Sequence, residues 1–363
     1  MTTIKDVARA AGVSVSTVSH VLSGRRPISE PTRLRVLEAI ERLGYRPNRL
    51  AQGLVSKSSR SLGLLVPDLA NPFFGSMAEA MEIAAHDRGY SVILCNTNLD
   101  PKREADYLSM LLSRQVDGLL YFPGTRVPNR ALLEAVAAGV PVVVVDERID
   151  NLPGVFVDNF DGGRQLGRLL AQLGHRSLLF IGGPEGLPTV TDRLNGLRAG
   201  LAEGGSASAT VNLLLRFGEY RASHGYETIH ACAREGVFAA VGDERPTAVV
   251  AANDMIALGA LRALRELQLQ VPRDCSLTGF DGVEFTAMIT PSLTTVQQPS
   301  TRVATAAVEL LLQRIEAHEH HRDRERANHE HQPSAEATPV IPHVVLPVTL
   351  VVRESVAPPP QLR

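Results

Sequence analysis

Short apolar runs alternate with helical periodicity from residue 61 onward, and the alternation starts twice. The first series reads strand 62–66, helix 73–88, strand 91–95, helix 101–114, strand 118–122, helix 130–138 and strand 142–145. After Asp158 a second series runs helix 161–173, strand 177–181, helix 191–203, strand 211–217, helix 221–235, strand 248–252, helix 254–267 and strand 277–280. Runs such as Val142-Val143-Val144-Val145 are apolar at every position, so both faces of the sheet must be covered. That requirement selects parallel sheets with helices on each side, and the restart implies two such doubly wound lobes. Ligands of open parallel sheets sit at the carboxyl ends of the strands, which here would face a cleft between the lobes.

The first 60 residues do not follow this pattern. They hold eleven Lys and Arg against four Asp and Glu, while the remainder holds 26 against 35, although the whole chain of 363 residues is nearly neutral at −2. A small basic head on a larger acidic body points to a polyanion partner for the head. No apolar run approaches the roughly 18 residues of a membrane span, so no membrane role is expected. The N-terminus lacks the unbroken apolar stretch of a secretory signal, and a cytoplasmic location is expected. Cys95, Cys232 and Cys275 are few, odd in number and set in apolar sequence, which reads as reduced packing residues.

Within the head, Ile4, Val7, Ala8 and Ala11 recur at helical spacing, Gly12-Val13 breaks the pattern, and Ser14 can cap a second helix. Helix, tight turn and helix is the unit that lays its second helix in the DNA major groove. Val18 and Val21 then face inward, leaving Val15, Ser16, Thr17 and His20 toward base edges. His20 also fits a phosphate-facing or core position. Arg26, in the loop that follows, suits a groove or phosphate contact. A third helix capped by Ser29 and ended by Gly44 carries Leu34, Leu37, Ile40 and Leu43 as its expected core stripe.

These residues are similar to a known family. Thr3-Ile4-Lys5-Asp6-Val7-Ala8, Gly12-Val13-Ser14, Thr17-Val18-Ser19-His20-Val21-Leu22 and Gly44-Tyr45-Arg46-Pro47-Asn48 resemble the headpiece of the lactose-repressor/galactose-repressor family of bacterial transcription regulators. The resemblance implies that residues 49–55 form a hinge helix that orders when two subunits meet on the operator, with Leu54 wedged into the central minor-groove step. Lys57 and Arg60 read as phosphate or linker charges.

In the body, Asp68, Asn71, Phe73, Phe74, Asp146, Asn253, Asp254 and Asp281 follow the strands. Carboxylates and amides beside aromatic rings suit a polyol, whose vicinal hydroxyls need paired partners and whose ring presents an apolar face. Helix capping is an equally direct reading of Asn71 and Asp254. Leu64-Leu65-Val66-Pro67, Asn71-Pro72-Phe73-Phe74, Asp192-Arg193-Leu194-Asn195-Gly196, Ala252-Asn253-Asp254 and Gly279-Phe280-Asp281 resemble the family's effector core, itself similar to periplasmic sugar-binding proteins. By that resemblance Arg193, Asn253 and Asp281 are effector contacts and Tyr220 an aromatic stacker. The ribose-operon branch looks nearest, with Asn71, Phe73, Phe74, Asp146, Arg193, Asn253, Asp281 and Gln298 matching a ribose-binding pattern. Two positions stand apart: Glu147, not arginine, follows Asp146, and Leu187 replaces an effector-binding arginine of the purine-repressor branch.

The expected organisation is a helix-turn-helix headpiece over 1–47, a hinge and linker over 48–60, and a core over 61–363. Lobe 1 would take 61–159 and 293–317, and lobe 2 would take 160–291 and 340–355. The segment 318–339, rich in His and interleaved with Arg, reads as a flexible insertion without zinc-site spacing, so neither metal nor cofactor is expected. No dinucleotide, phosphate-loop, HExxH or GxSxG motif occurs, and no enzyme activity is expected. The tail lacks a leucine heptad, so the resemblance implies a homodimer on a pseudo-palindromic operator. Its small sugar effector would sit between the lobes of a repressor of sugar catabolism. A phosphorylated sugar, another metabolite or a partner protein is the alternative input.

Overall fold

A computed structural model describes residues 2–23, 26–45, 58–124, 129–204, 211–240, 244–327 and 341–360, and of 321–327 the backbone only. The chain divides into two compact units, Met1–Arg60 and Ser61–Arg363.

The first unit is three helices: α1 (Ile4–Ala11), α2 (Val15–Ser23) and α3 (Glu30–Leu43). Thr3 and Asp6 close a capping box at the start of α1, and Gly12 ends it at φ +65°, a left-handed turn that glycine enters without strain. Val7, Ala8, Ala11, Val18, Val36 and Ala39 form the core. The stripe of α3 is thus Val36, Ala39, Ile40 and Leu43, whereas Leu34 and Leu37, expected inside, are 51% and 42% exposed. The small Val36 and Ala39 let α3 approach the alanine face of α1, and the larger leucines fall on the other side of the helix. The expected hinge helix, with Leu54 and Lys57, lies outside the described residues.

The second unit holds two six-stranded sheets. The first contains β1 (Ser61–Val66), β2 (Ser91–Asn96), β3 (Gly118–Tyr121), β4 (Val142–Val145), β5 (Gly154–Val157) and β11 (His343–Leu346), in the order β11-β5-β4-β3-β1-β2. The second contains β6 (Ser177–Gly182), β7 (Asn212–Phe217), β8 (Ala248–Ala251), β9 (Ser276–Asp281), β10 (Thr294–Gln297) and β12 (Thr349–Val351), in the order β12-β10-β9-β8-β6-β7. All pairings are parallel except β10 with β12. Between strands run α4 (Pro72–His86), α5 (Pro101–Ser113), α6 (Arg130–Ala137), α7 (Asn159–Leu173), α8 (Pro188–Gly204), α9 (Ala222–Arg234), α10 (Asp254–Glu266) and α11 (Ser300–Ala327). Asn71, Asp100, Asn129, Asp158 and Asn253 each accept a backbone N–H at the start of the helix that follows them.

The chain crosses between the lobes after β5, after β10 and between β11 and β12, and this differs from the expected partition. Residues 293–297 were expected in lobe 1, but β10 pairs with β9 of the second sheet. Its buried Thr295 donates to Asp254 and its Thr294 to the Arg353 carbonyl, partners that only lobe 2 supplies. The C-terminal residues form two strands, one in each sheet, parted at Pro347-Val348. Strand β5, with four residues, was not anticipated. Helix α11 runs on to Ala327, so the first ten residues of the expected flexible insertion are helical. The Glu, Arg and Ala of that stretch favour helix, and no Pro or Gly interrupts it.

Candidate functional site

In the headpiece, the outer side of α2 presents Val15 (40% exposed) and Ser16, with Thr17 and His20 half-buried beside them. Ser14 accepts the Thr17 backbone N–H at 3.1 Å, and its hydroxyl lies 2.7 Å from that of Ser16 and 2.8 Å from that of Thr17. The start of α2 is therefore tied by Ser14, with short polar side chains at the surface. Arg26 is exposed.

In the core, the site is organised by Arg193, one turn and a half into α8 and only 5% exposed. Its Nε donates to Asn159 Oδ1 at 2.8 Å and a terminal nitrogen donates to the Ala252 carbonyl at 2.6 Å. The same nitrogen stands 3.7 Å from Asp281 Oδ1, and the guanidinium covers the Phe280 ring at 3.8 Å. Burial works against its charge, but Tyr220, Asp281, Asp146 and Glu147 outweigh that, and its pKa is raised. Gln298 donates to Asp281 Oδ1 at 2.9 Å from the β10–α11 crossing. Tyr220 lies against Gly183, where an added Cβ would fall 2.5 Å from the ring, and its centroid is 6.0 Å from Arg193.

Asp146 follows β4 at φ +73° and Asp281 ends β9 at φ +111°, left-handed conformations that non-glycine residues keep only where the surroundings over-determine them. Burial raises the pKa of both carboxyls, and the Arg193 charge offsets part of that rise. Asp254 is fully buried, accepting from the Gly282 and Val283 amides at 2.8 and 2.9 Å and from Thr295 at 2.6 Å. Burial lifts its pKa to about 7. Asp254 thereby braces the loop that carries Asp281.

Arg193, Tyr220, Asp281 and Gln298 are thus gathered, with Asp146 close enough to act on their charges. Asn253 joins them through its neighbour Ala252 while capping α10 at 2.9 Å to the Ile256 amide. Asn71 caps α4, Phe73 is buried in the lobe 1 core, and Phe74 packs edge-on to Phe73 and Phe122. Among the described residues no hydrogen bond, ion pair or ring contact links these three directly to the Arg193 cluster. Asn159 and Thr189 were missed by sequence reasoning, and Glu147 stood out there only as a departure from the ribose-binding pattern. Glu147 accepts from the Thr189 hydroxyl and amide, the latter at 3.4 Å, across the two lobes. Arg148, the next residue, covers Phe156 at 5.3 Å. Among the described residues no group of His, Cys, Asp and Glu is arranged to hold a metal, and no helix is long and apolar enough to cross a membrane.

Residues 3–48 match the model of the bacterial regulatory proteins of the lacI family, and residues 59–334 match that of periplasmic binding proteins and the sugar-binding domain of the LacI family. The HTH-type transcriptional repressor PurR of Pectobacterium atrosepticum is 36% identical over 87% of this chain and 91% of its own. PurR of Aliivibrio salmonicida is 35% identical over 89% and 95%. The lac repressor dimer bound to operator and the anti-inducer ONPF superposes with a TM-score of 0.79 at 28% identity, covering 98% of this chain and 99% of that one. A LacI-family regulator from Enterococcus faecium with bound ribose gives 0.65 at 28% identity, covering 82% and 99%. These two curated relatives are PurR repressors, which corrects the expected nearness to the ribose-operon branch. The chain belongs to the LacI family: it is a DNA-binding transcriptional repressor with a ligand-binding core.

Proposed function

We propose that the protein represses a sugar-catabolic operon as a homodimer on a pseudo-palindromic operator, and that a small uncharged sugar or polyol bound between the lobes sets its operator affinity. The observation that carries the reading is Arg193, held by Asn159 and the Ala252 carbonyl beside Asp281 and Gln298. That group offers fixed donors and acceptors for vicinal hydroxyls, with Tyr220 beside it as an apolar wall. Asp146 and Asn253 complete the contact set, and Asn71, Phe73 and Phe74 shape the lobe 1 side. Ribose is one candidate, and the ribose-bound relative supports it. On the DNA, Val15, Ser16, Thr17 and His20 read the major groove, Arg26 and Lys57 meet the backbone, and Leu54 wedges the central step. Effector binding shifts the balance of lobe arrangements and so changes operator affinity, a coupling of ~1 to 3 kcal/mol.

A purine-type effector is the second reading, favoured by the PurR relatives. Against it, Leu187, buried at the start of α8, offers a ligand no polar group. Calorimetric titration with pentoses, hexoses, polyols, their phosphates and purine bases separates the two. One tight neutral sugar, lost in Arg193→Ala while operator binding is kept, is the expected result. Tight binding of a purine base, or of a phosphate ester alone, would overturn the sugar reading and leave the repressor intact.

A further inference from the structure

Helix α8 carries Arg193, yet nothing in its own sequence caps its start. Leu187, whose carbonyl accepts the Thr191 amide at 2.9 Å, stands at the capping position and its side chain cannot accept a hydrogen bond. Pro188 has no N–H, so Thr189 supplies the first free amide of the helix. That amide is taken by a residue of the other lobe: Glu147 Oε2 accepts it at 3.4 Å, and Oε1 accepts the Thr189 hydroxyl. Both groups are buried, Glu147 at 6% exposure and Thr189 at 3%. The Tyr220 hydroxyl joins the same point, 3.2 Å from Thr189 Oγ1. A second interlobe pair, Arg221 with Asp68 at 3.7 Å, lies one residue beyond Tyr220 but is more open to water. Thr189 and Arg193 are four residues apart, so they share one face of α8.

We propose that Glu147 is a positioning residue: a carboxyl of lobe 1 that completes the N-terminus of a lobe 2 helix, so that Arg193 is presented in register only while the lobes are closed. A helix terminus left without its acceptor frays within its first turn, which here is the turn before Arg193. Lobe closure and the order of the ligand-facing end of α8 then form a single event. The inference rests on the cleft reading only for its consequence; the cap itself is independent of which ligand binds.

The test uses the whole chain without ligand. Glu147→Ala, Glu147→Gln and Thr189→Val are compared by amide hydrogen exchange and by small-angle X-ray scattering. In Glu147→Ala, exchange at residues 190–193 should rise at least about tenfold while the rest of lobe 2 keeps its protection, and the radius of gyration should grow as the lobes part. Glu147→Gln keeps an acceptor oxygen and should restore most of both. Unchanged exchange at 190–193 in Glu147→Ala would overturn the proposal. So would a uniform loss of protection across lobe 2, which would mark Glu147 as merely structural. Failure of every sugar to bind would refute the cleft reading and leave these results standing.

Discussion

Gly163→Ala tests how closely the site depends on two helices meeting backbone to backbone. A Cβ at Gly163 of α7 would fall 2.1 Å from the Arg193 carbonyl oxygen of α8, and one at Gly167 would fall 2.2 Å from that of Leu197. The facing glycines are as tight: Gly196 lies against the Phe160 carbonyl at 1.9 Å and Gly200 against that of Arg164 at 2.0 Å. An alanine methyl needs ordinary van der Waals distance, so either substitution must part α7 and α8 by roughly 1 Å at the point of contact. Overpacking of this kind costs about 1 to 3 kcal/mol, and the two variants should lose similar stability in urea. They should differ in function. The Gly163 methyl pushes on Arg193 itself, one turn from Asn159, and stretches the 2.8 Å bond between Arg193 Nε and Asn159. A buried charged hydrogen bond is worth about 1.5 to 3 kcal/mol, so Gly163→Ala should weaken effector binding tenfold or more. Gly167→Ala, one turn farther away, should weaken it much less. Equal losses of affinity in the two variants, or wild-type affinity in Gly163→Ala, would refute the argument.

Arg193→Met should destabilise the core by roughly 3 to 5 kcal/mol, because it leaves the buried Asp281 carboxyl and the Ala252 carbonyl without their partner; a urea midpoint within experimental scatter of wild type would contradict this. Glu147 and Asp254 both have pKa values lifted to about 7, chiefly by burial, with Asp146 adding to the rise at Glu147, and Arg193 is the cation that opposes both. The folded state therefore holds protons that the unfolded chain releases near its ordinary carboxylate range, and each group's contribution to stability is lost as pH rises through about 7. Asp254→Asn should accordingly gain on wild type in thermal midpoint between pH 4 and pH 7, and a constant difference would exclude the shift. Deleting residues 328–338 should leave both operator and effector binding intact by fluorescence anisotropy and calorimetry; loss of either would assign that segment a role.

Strand identity was legible because a run such as Val142–Val145 leaves no alternative to a covered sheet. Strand assignment to a sheet was not, since four residues such as Thr294–Gln297 encode burial but not which lobe receives them. That information lies in partners far along the chain, Asp254 and the Arg353 carbonyl. The same limit governs the site. Arg193, Asp281 and Gln298 could be named from local motifs, and they meet. Asn159 and Thr189 carry no motif, because their role arises from helices and lobes that approach only in the folded chain. Glu147 did leave a trace, as the acidic residue where arginine was expected, yet only the structure shows its carboxyl reaching the far lobe. Asn71 and Phe73 also take structural places, a helix cap and a core position, which the same motif allows.

The strands that close the two sheets come late. β11 and β12 are separated by two residues, belong to different lobes, and are followed by a segment whose Ser355 bonds to the Thr294 amide and the Leu277 carbonyl. During synthesis the headpiece can therefore fold as soon as it leaves the ribosome, but lobe 1 must wait with an open edge at β5 while nearly all of lobe 2 is made. An open edge of apolar parallel strands is a template for unwanted pairing. Translation stalled between residues 300 and 340 should thus release a species with a finished DNA-binding head and two unfinished lobes.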